Sequence, residues 1–352
     1  AGEKAEFYAA LMPMQYEALE VDVITSEGKV LRCELEGKME AAVCQKIEVG
    51  ELPEIESSQW NTIGNSWMDY IPDDALLSDL TLVGTHDAAS MVCSLEMSRC
   101  QSLGIAQQLE AGVRLFDLRP GKNFDIYHGI DPTGVKFSEA LTDMVDFLNE
   151  NPTQGCIVFI KNESGEAAWG ESMSAELAPF ADNMLKFKKG LTLGELRGKI
   201  LVLSRDAYSG TIYGGFFSSG WPDNTADGEV GIGSYQGESL ETFYLQDQYN
   251  SDTEEAVKIA SIKKYADKAK SKSSGAWLCN HTSLAGFKIL SFGSSPKDHA
   301  KNIHPEVVAY IDSKPGRLGI VMMDFAGDKS VGGDELLSTV INQNFRYKQS
   351  VK

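Results

Sequence analysis

The chain is short of positive charge. Its 352 residues carry 32 Lys and Arg against 51 Asp and Glu, a formal net charge of -19 at pH 7. That balance excludes a nucleic-acid partner, because a phosphate backbone recruits a surplus of Lys and Arg. It argues equally against strong electrostatic adhesion to anionic lipid. No apolar run approaches the roughly 18 residues that a membrane-spanning helix needs. Among six cysteines there is no Cys-x-x-Cys, which argues against a zinc site. Cys93 and Cys100 keep two readings open: a bridge within one loop of an exported protein, or buried free thiols. The chain opens Ala-Gly-Glu-Lys rather than on Met, so a removed leader or a longer N-terminal part is expected.

What is present is an ordinary globular composition, 42% apolar and 24% charged, in a chain long for one domain. Residues 1–50 hold short alternating runs at 7–11, 19–25, 29–35 and 41–49, with Ser26-Glu27-Gly28 suited to a hairpin turn. They predict a small antiparallel β segment, which resembles the last strands of a fimbrillin-like β-sandwich. So few strands bury little on their own, and the segment is expected to be structural rather than chemical. Residues 51–74 read as a linker pinned by Trp60, Trp67 and Tyr70. From residue 75 to 352, apolar β-runs alternate with helical stripes. The runs lie at 80–86, 113–119, 124–128, 156–160, 199–203, 243–245, 276–279 and 318–323. Helices are predicted at 103–111, 137–148, 172–186 and 254–271, the second on a stripe of Phe137, Ala140, Leu141, Met144, Val145 and Leu148. Eight runs with intervening helices point to an α/β fold, a (βα)8-type barrel, with some connections too short for a full helix.

The ends of those runs carry the chemistry. Leu80 to Asp87 closes on His86 and Asp87, and residues 113–119 close on Asp117 and Arg119. His128, before Gly129, ends the next run; Lys161, Arg205, Asp247 and Asp324 recur at later ends. Each alone has a bland explanation: a capping carboxylate, a buried ion pair, a solvated rim charge. One ionisable residue at nearly every strand end does not, because those positions form the active face of such barrels. Two imidazoles with carboxylate partners suit proton transfer near neutral pH. Arginine, with its planar donor fork, suits a phosphate.

Gly84-Thr85-His86-Asp87, Arg114-Leu115-Phe116-Asp117-Leu118-Arg119 and Tyr127-His128-Gly129 resemble the X domain of the bacterial phosphatidylinositol-specific phospholipases C. Lys161-Asn162-Glu163, Arg205, Trp221-Pro222-Asp223-Asn224, Gln246-Asp247-Gln248-Tyr249 and Asp324 follow in the family's order, so that the resemblance spans about residues 75–345. It implies an incomplete TIM barrel that cleaves phosphatidylinositol to diacylglycerol and myo-inositol 1,2-cyclic phosphate. His86 would be the general base for the inositol 2-hydroxyl, with Asp324 holding its imidazolium. His128, supported by Asp87, would protonate the departing diacylglycerol oxygen. Arg119, fixed by Asp117, would neutralise the phosphate oxygens. Lys161, Arg205 and Asp247 would bond inositol hydroxyls, Tyr249 would lie on the ring's apolar face, and Glu163 would be a rim partner. In the calcium-dependent relatives acidic residues hold the ion where Arg119 stands here, so neither metal nor cofactor is expected; Asp87 and Asp117 fall short of the about six oxygens calcium takes.

The departures are Ala88, where the family often has Ser, and residues 91–101, which lack the Trp of the secreted members' membrane rim. A second rim at 288–292 offers Ile289, Leu290 and Phe292, and residues 227–242 have no clear counterpart. Membrane contact is therefore expected to be weak or transient. The alternatives are the same chemistry on a glycosyl-inositol phospholipid or inositol phosphoceramide, or a catalytically silent binding module. An extracytoplasmic location is expected from the substrate type.

Overall fold

The computed structural model describes residues 15–24, 30–38, 66–163, 165, 169–206, 213–234, 239–285 and 294–346. The chain divides into two compact units, residues 1–60 and 61–352. In the first, β1 (Gln15–Ile24) pairs antiparallel with β2 (Val30–Lys38), Ile24 opposite Val30, with an irregularity between Tyr16 and Leu19. The runs at 7–11 and 41–49, the turn at 26–28, Trp60 and most of the linker lie outside the described residues.

The second unit is a ring of strands. β3 (Leu82–Thr85), β4 (Leu115–Leu118), β7 (Cys156–Ile160) and β9 (Ile200–Ser204) run parallel. β9 continues to β10 (Gly215–Phe217), and β11 (Gly228–Ser234) runs antiparallel to both β10 and β12 (Ser239–Gln246). β13 (Trp277–His281) and β14 (Ile320–Met323) are parallel again, and β14 closes the ring on β3 with Met323 opposite Thr85. A short β8 (Met184–Leu185) joins the start of β9. Strands buried on both faces read as continuous apolar runs, and β7 and β9 are buried at every residue. Gly84 is required where β3 meets its neighbours, because a Cβ there would stand 2.9 Å from Met322 Sδ.

Helices cover the ring: α1 (Ile105–Ala111), α2 (Phe137–Glu150), α3 (Trp169–Leu177), α4 (Leu193–Leu196), α5 (Glu255–Ser271), α6 (Pro296–Ser313) and α7 (Gly333–Arg346). α1 stops at Gly112, whose φ of 106° admits glycine at little cost. Trp67 is fully buried and donates its indole N–H to Gly112 O at 3.0 Å, which explains its place ahead of the barrel. Tyr70 packs edge-on against Phe345 and stays exposed.

Several expectations need correction. The run ending at His128 is not a ring strand: β5 (Asp125–His128) pairs antiparallel with β6 (Asp131–Lys136) in a separate two-stranded ribbon. Its polar Asp125, Tyr127 and His128 suit a half-exposed ribbon, and Gly129 turns it at φ 59°. The helix expected at 172–186 breaks after Leu177, where Pro179 offers no N–H to continue the ladder; a 3-10 turn spans Ala178–Asn183 and gives way to β8. Helices α6 and α7, and strands β6, β10 and β11, were not anticipated. Of the two readings left open for Cys93 and Cys100, the structure has the buried free thiols.

Candidate active site

β3 delivers His86 and Asp87 directly past its last pair. The His86 amide bonds Met323 O at 3.1 Å, which ties this corner to the end of β14. Gln101 brackets the same corner from α1's approach: its amide donates to His86 O at 2.9 Å and Met323 O at 3.0 Å, and its oxygen accepts from the Ala326 amide. Asp324 follows β14 and sets its Oδ1 2.8 Å from His86 Nδ1. On the other side of the ring His86 Nε2 meets Asp87 Oδ2 at 3.1 Å. Burial opposes charge on this imidazole, but the two carboxylates outweigh it and Arg119, and its pKa is raised above the ordinary value.

Asp87 sits at a φ of 43°, a left-handed conformation that Asp tolerates better than most residues. Its Oδ1 accepts from Arg119 Nε at 3.0 Å, and its Oδ2 lies 3.5 Å from His128 Nε2. Expected as the partner of His128 alone, it stands between both imidazoles. The His86 and His128 rings are 6.2 Å apart at 81°. His128 Nδ1 donates to Ser98 O at 2.8 Å; a carbonyl only accepts, so this nitrogen carries the proton and Nε2 faces Asp87. Asp131, past the ribbon turn, holds the opposite loop through Ser94 Oγ and the Leu95 amide, both at 2.8 Å. Exposed Met91, Val92, Leu95 and Ile130 lie on that loop and that turn.

Asp117 and Arg119, two apart on and just past β4, meet as the period of a strand requires, Arg119 Nη2 2.9 Å from Asp117 Oδ2. Arg205, from the end of β9, reaches Asp117 Oδ1 at 3.2 Å. Burial alone would raise the Asp117 pKa, but the two guanidinium groups hold it far below the carboxylate range. Arg119 is held firmly charged by Asp117 and Asp87 in spite of burial. Arg205 also stacks over Trp221, 4.2 Å from its ring, and Trp221 Nε1 donates to Asp247 Oδ2 at 2.8 Å. Burial works against charge on Asp247, yet His281, Arg205 and the indole keep its pKa low.

The remaining expected residues are Lys161, Glu163 and Tyr249. Lys161 Nζ is 2.7 Å from Glu163 Oε1, and the Glu163 charge reaches Arg119. Tyr249 donates its hydroxyl to Asp223 Oδ1 at 3.0 Å; burial and that carboxylate push its pKa up to about 12. Asn224, at φ 47°, accepts the Tyr249 and Asn250 amides on its Oδ1. The rim at 288–292 lies outside the described residues. Among the described residues, one group has metal-ligand spacing: His86, Asp87 and Cys100, with ligand atoms within 4.8 Å of one another. Burial pushes the Cys100 thiol well up, so it is a protonated and poor ligand.

The arrangement offers a base, an acid and a guanidinium around one opening, with hydroxyl-binding groups alongside. Residues 84–206 match the family model of the phosphatidylinositol-specific phospholipase C X domain. The chain is 27% identical over 300 residues to a 1-phosphatidylinositol phosphodiesterase of Listeria monocytogenes, 78% of this chain and 87% of that protein. A 1-phosphatidylinositol phosphodiesterase of Staphylococcus aureus is 23% identical over 304 residues, covering 79% of this chain and 94% of its own length. The solved phosphatidylinositol-specific phospholipase C of Listeria monocytogenes matches with a TM-score of 0.63 at 25% identity, over 80% of this chain and 98% of that one. A mutant of the Staphylococcus aureus enzyme matches with a TM-score of 0.71 at 23% identity, over 81% and 98%, which speaks for the barrel alone.

The reading from strand ends missed His281, at the end of β13, and Lys258, buried on α5. The apolar run was closed at Cys279; carrying its period of two one step further, from Trp277 and Cys279, reaches His281. Lys258 Nζ bonds Gln246 Oε1 at 3.0 Å and Gln248 O at 2.8 Å, and burial pulls its pKa down to about 7. Nothing in a Lys- and Ala-rich helix marks which lysine faces inward.

Proposed function

We propose that the barrel cleaves phosphatidylinositol in two steps by metal-independent acid–base catalysis. The observation that carries this reading is the pair of imidazoles 6.2 Å apart, with Asp87 between them, Arg119 on the other oxygen of that carboxylate and a second carboxylate behind His86. His86 Nε2 takes the proton of the inositol 2-hydroxyl, and that oxygen attacks phosphorus. The new P–O bond closes a 1,2-cyclic phosphate as the bond to the diacylglycerol oxygen breaks. His128 Nε2 supplies that oxygen's proton. The nucleophile belongs to the substrate itself, so proximity supplies much of the acceleration. In the second step water opens the ring, and the histidines exchange roles.

Charge grows on the non-bridging oxygens, and Arg119 is placed to meet it. Two carboxylates hold its fork in one orientation and keep it charged, so little reorganisation is left for the reaction. For His86 to accept a proton, Asp87 must release its Nε2 and stay with His128. Arg205, Asp247 and Lys161 bond head-group hydroxyls, Tyr249 covers the ring's apolar face, and Glu163 holds Lys161. Weak, transient contact with a lipid surface runs through Met91, Val92, Leu95 and Ile130, which border His128. An extracytoplasmic location follows from a substrate of this type.

The test is release of cyclic inositol phosphate from phosphatidylinositol with EDTA present. Wild type is expected to turn over, and H86A and H128A are expected to lose at least about a hundredfold each, the range of a positioned acid or base. Turnover unchanged in both variants overturns the mechanism. Activity abolished by EDTA overturns its independence of metal. Turnover confined to a glycosyl-inositol phospholipid or inositol phosphoceramide moves the same chemistry to another head group.

A further inference from the structure

His281 closes β13 and has no part in the chemistry above. Asn280 before it turns its side chain out to Ile262 O of α5 at 3.0 Å, so His281 points into the barrel. There it is wedged edge-on between two rings, 6.0 Å from His86 and 5.9 Å from Trp221. Its Nδ1 is 3.4 Å from Asp247 Oδ1. The ring is only 1% exposed, and among the described residues neither nitrogen has a hydrogen-bond partner of ordinary geometry. Burial is the main cause that drives its pKa down to about 3; Asp247 opposes, while His86, Lys258 and Arg205 add to the fall. A neutral imidazole carries one N–H, and the carboxylate oxygen 3.4 Å away is the acceptor for it.

Asp247 needs a second hold. Trp221 Nε1 secures only its Oδ2, which leaves the carboxylate free to swing about that contact. We propose that His281 is a positioning residue, which donates Nδ1–H to Asp247 Oδ1 and braces the His86 ring with its edge. It thereby keeps the carboxylate that grips the head group at a set spacing from the base that deprotonates it. The inference rests on the function proposed above. The 3.4 Å separation belongs to the ligand-free site, where functional hydrogen bonds are often long and tighten on loading.

Two measurements decide it. Nitrogen-15 NMR of histidine-labelled wild-type protein is expected to show His281 as the neutral Nδ1–H tautomer; the Nε2–H tautomer overturns the inference without any variant. Kinetics on a soluble short-chain phosphatidylinositol then separate positioning from bulk. H281F keeps the ring and removes both nitrogens; losing a hydrogen bond to a charged group should raise KM about tenfold or more with kcat within a few-fold. H281N, which returns an N–H beside Asp247, should recover most of that loss. A KM within about twofold of wild type in H281F, a loss carried by kcat alone, or no recovery in H281N overturns the inference. If H281F does not fold, the tautomer decides. A wild type without turnover fails the proposed function, and the inference with it; a wild type that turns over with the Nε2–H tautomer fails the inference only.

Discussion

Asp324→Asn tests the pairing at the centre of the site while leaving its shape in place. The amide oxygen can still accept from His86 Nδ1, so the variant removes a charge rather than a hydrogen bond. Asp324 Oδ1 is 2.8 Å from that nitrogen, and Asp87 Oδ2 is 3.1 Å from the other. At about 4 Å and an effective dielectric of about 20, one opposite charge is worth roughly 4 kcal/mol, or about 3 pKa units. Burial and Arg119 already take part of this back, and D324N should lower the His86 pKa. The base works unprotonated, and its raised pKa places the acid limb of kcat/KM above about 6.5 in the wild type. In D324N that limb moves to lower pH, while the plateau falls by about a hundredfold because the imidazolium formed in the first step loses its counter-charge. The stability sign agrees. A folded pKa raised above the unfolded value contributes stability that is full below about pH 6.5 and fades as pH rises through the raised value. The melting temperatures of wild type and D324N should therefore differ most between about pH 5 and 6.5 and converge above. A limb that stays where it was in D324N refutes the electrostatic account of His86.

Arg119→Lys replaces a fork that meets both Asp87 and Asp117 with a single ammonium, which cannot hold both and a phosphate oxygen together; kcat should fall about 10²–10³-fold with KM little changed, read by steady-state kinetics. Lys258→Met removes a buried amine whose pKa is about 7 against 10.5 when free. That depression costs about 5 kcal/mol of stability once pH falls to 7, against roughly 1–3 kcal/mol for the one acceptor left unbonded, Gln248 O, since Gln246 Oε1 keeps the Gln248 amide at 2.8 Å. K258M should raise the melting temperature at pH 7 and lose that gain near pH 10.5; calorimetry at the two pH values checks it, and an equal shift at both speaks against the lysine being neutralised by burial.

Strand ends were the most legible part of the chain. A buried strand leaves its ionisable residue where the apolar run stops, so His86, Asp117, Arg119, Arg205, Asp247 and Asp324 could be found from hydropathy before any topology was known. Pairing partners were less so. That Asp117 serves two arginines depends on β9 lying one strand beyond β7, a register that neither run contains. Asp87 was expected beside His128 but lies between both imidazoles, because its left-handed backbone turns the side chain to the centre, a conformation no composition reveals. His281 was lost to a boundary drawn two residues early. Helices α6 and α7 escaped because Pro305 interrupts one pattern and the other begins on glycine.

The two imidazoles reach one opening from unlike supports. His86 stands on the closed ring, where the β14–β3 pairing, the Gln101 amide and Asp324 fix its backbone and its plane. His128 stands on a two-stranded ribbon outside the ring, and what aligns it is Ser98 O on the loop across from it. Asp131 ties that same loop to the ribbon turn. The apolar side chains of Met91, Val92, Leu95 and Ile130 lie on this loop and the ribbon turn, not on the ring. If the proposed function holds, a lipid surface pressing there would act on the acid that releases the leaving group, while the base and its carboxylates keep the geometry the barrel gives them. On the proposed function, the head group meets the strand ends of the ring, and the departing lipid faces the ribbon and its loop.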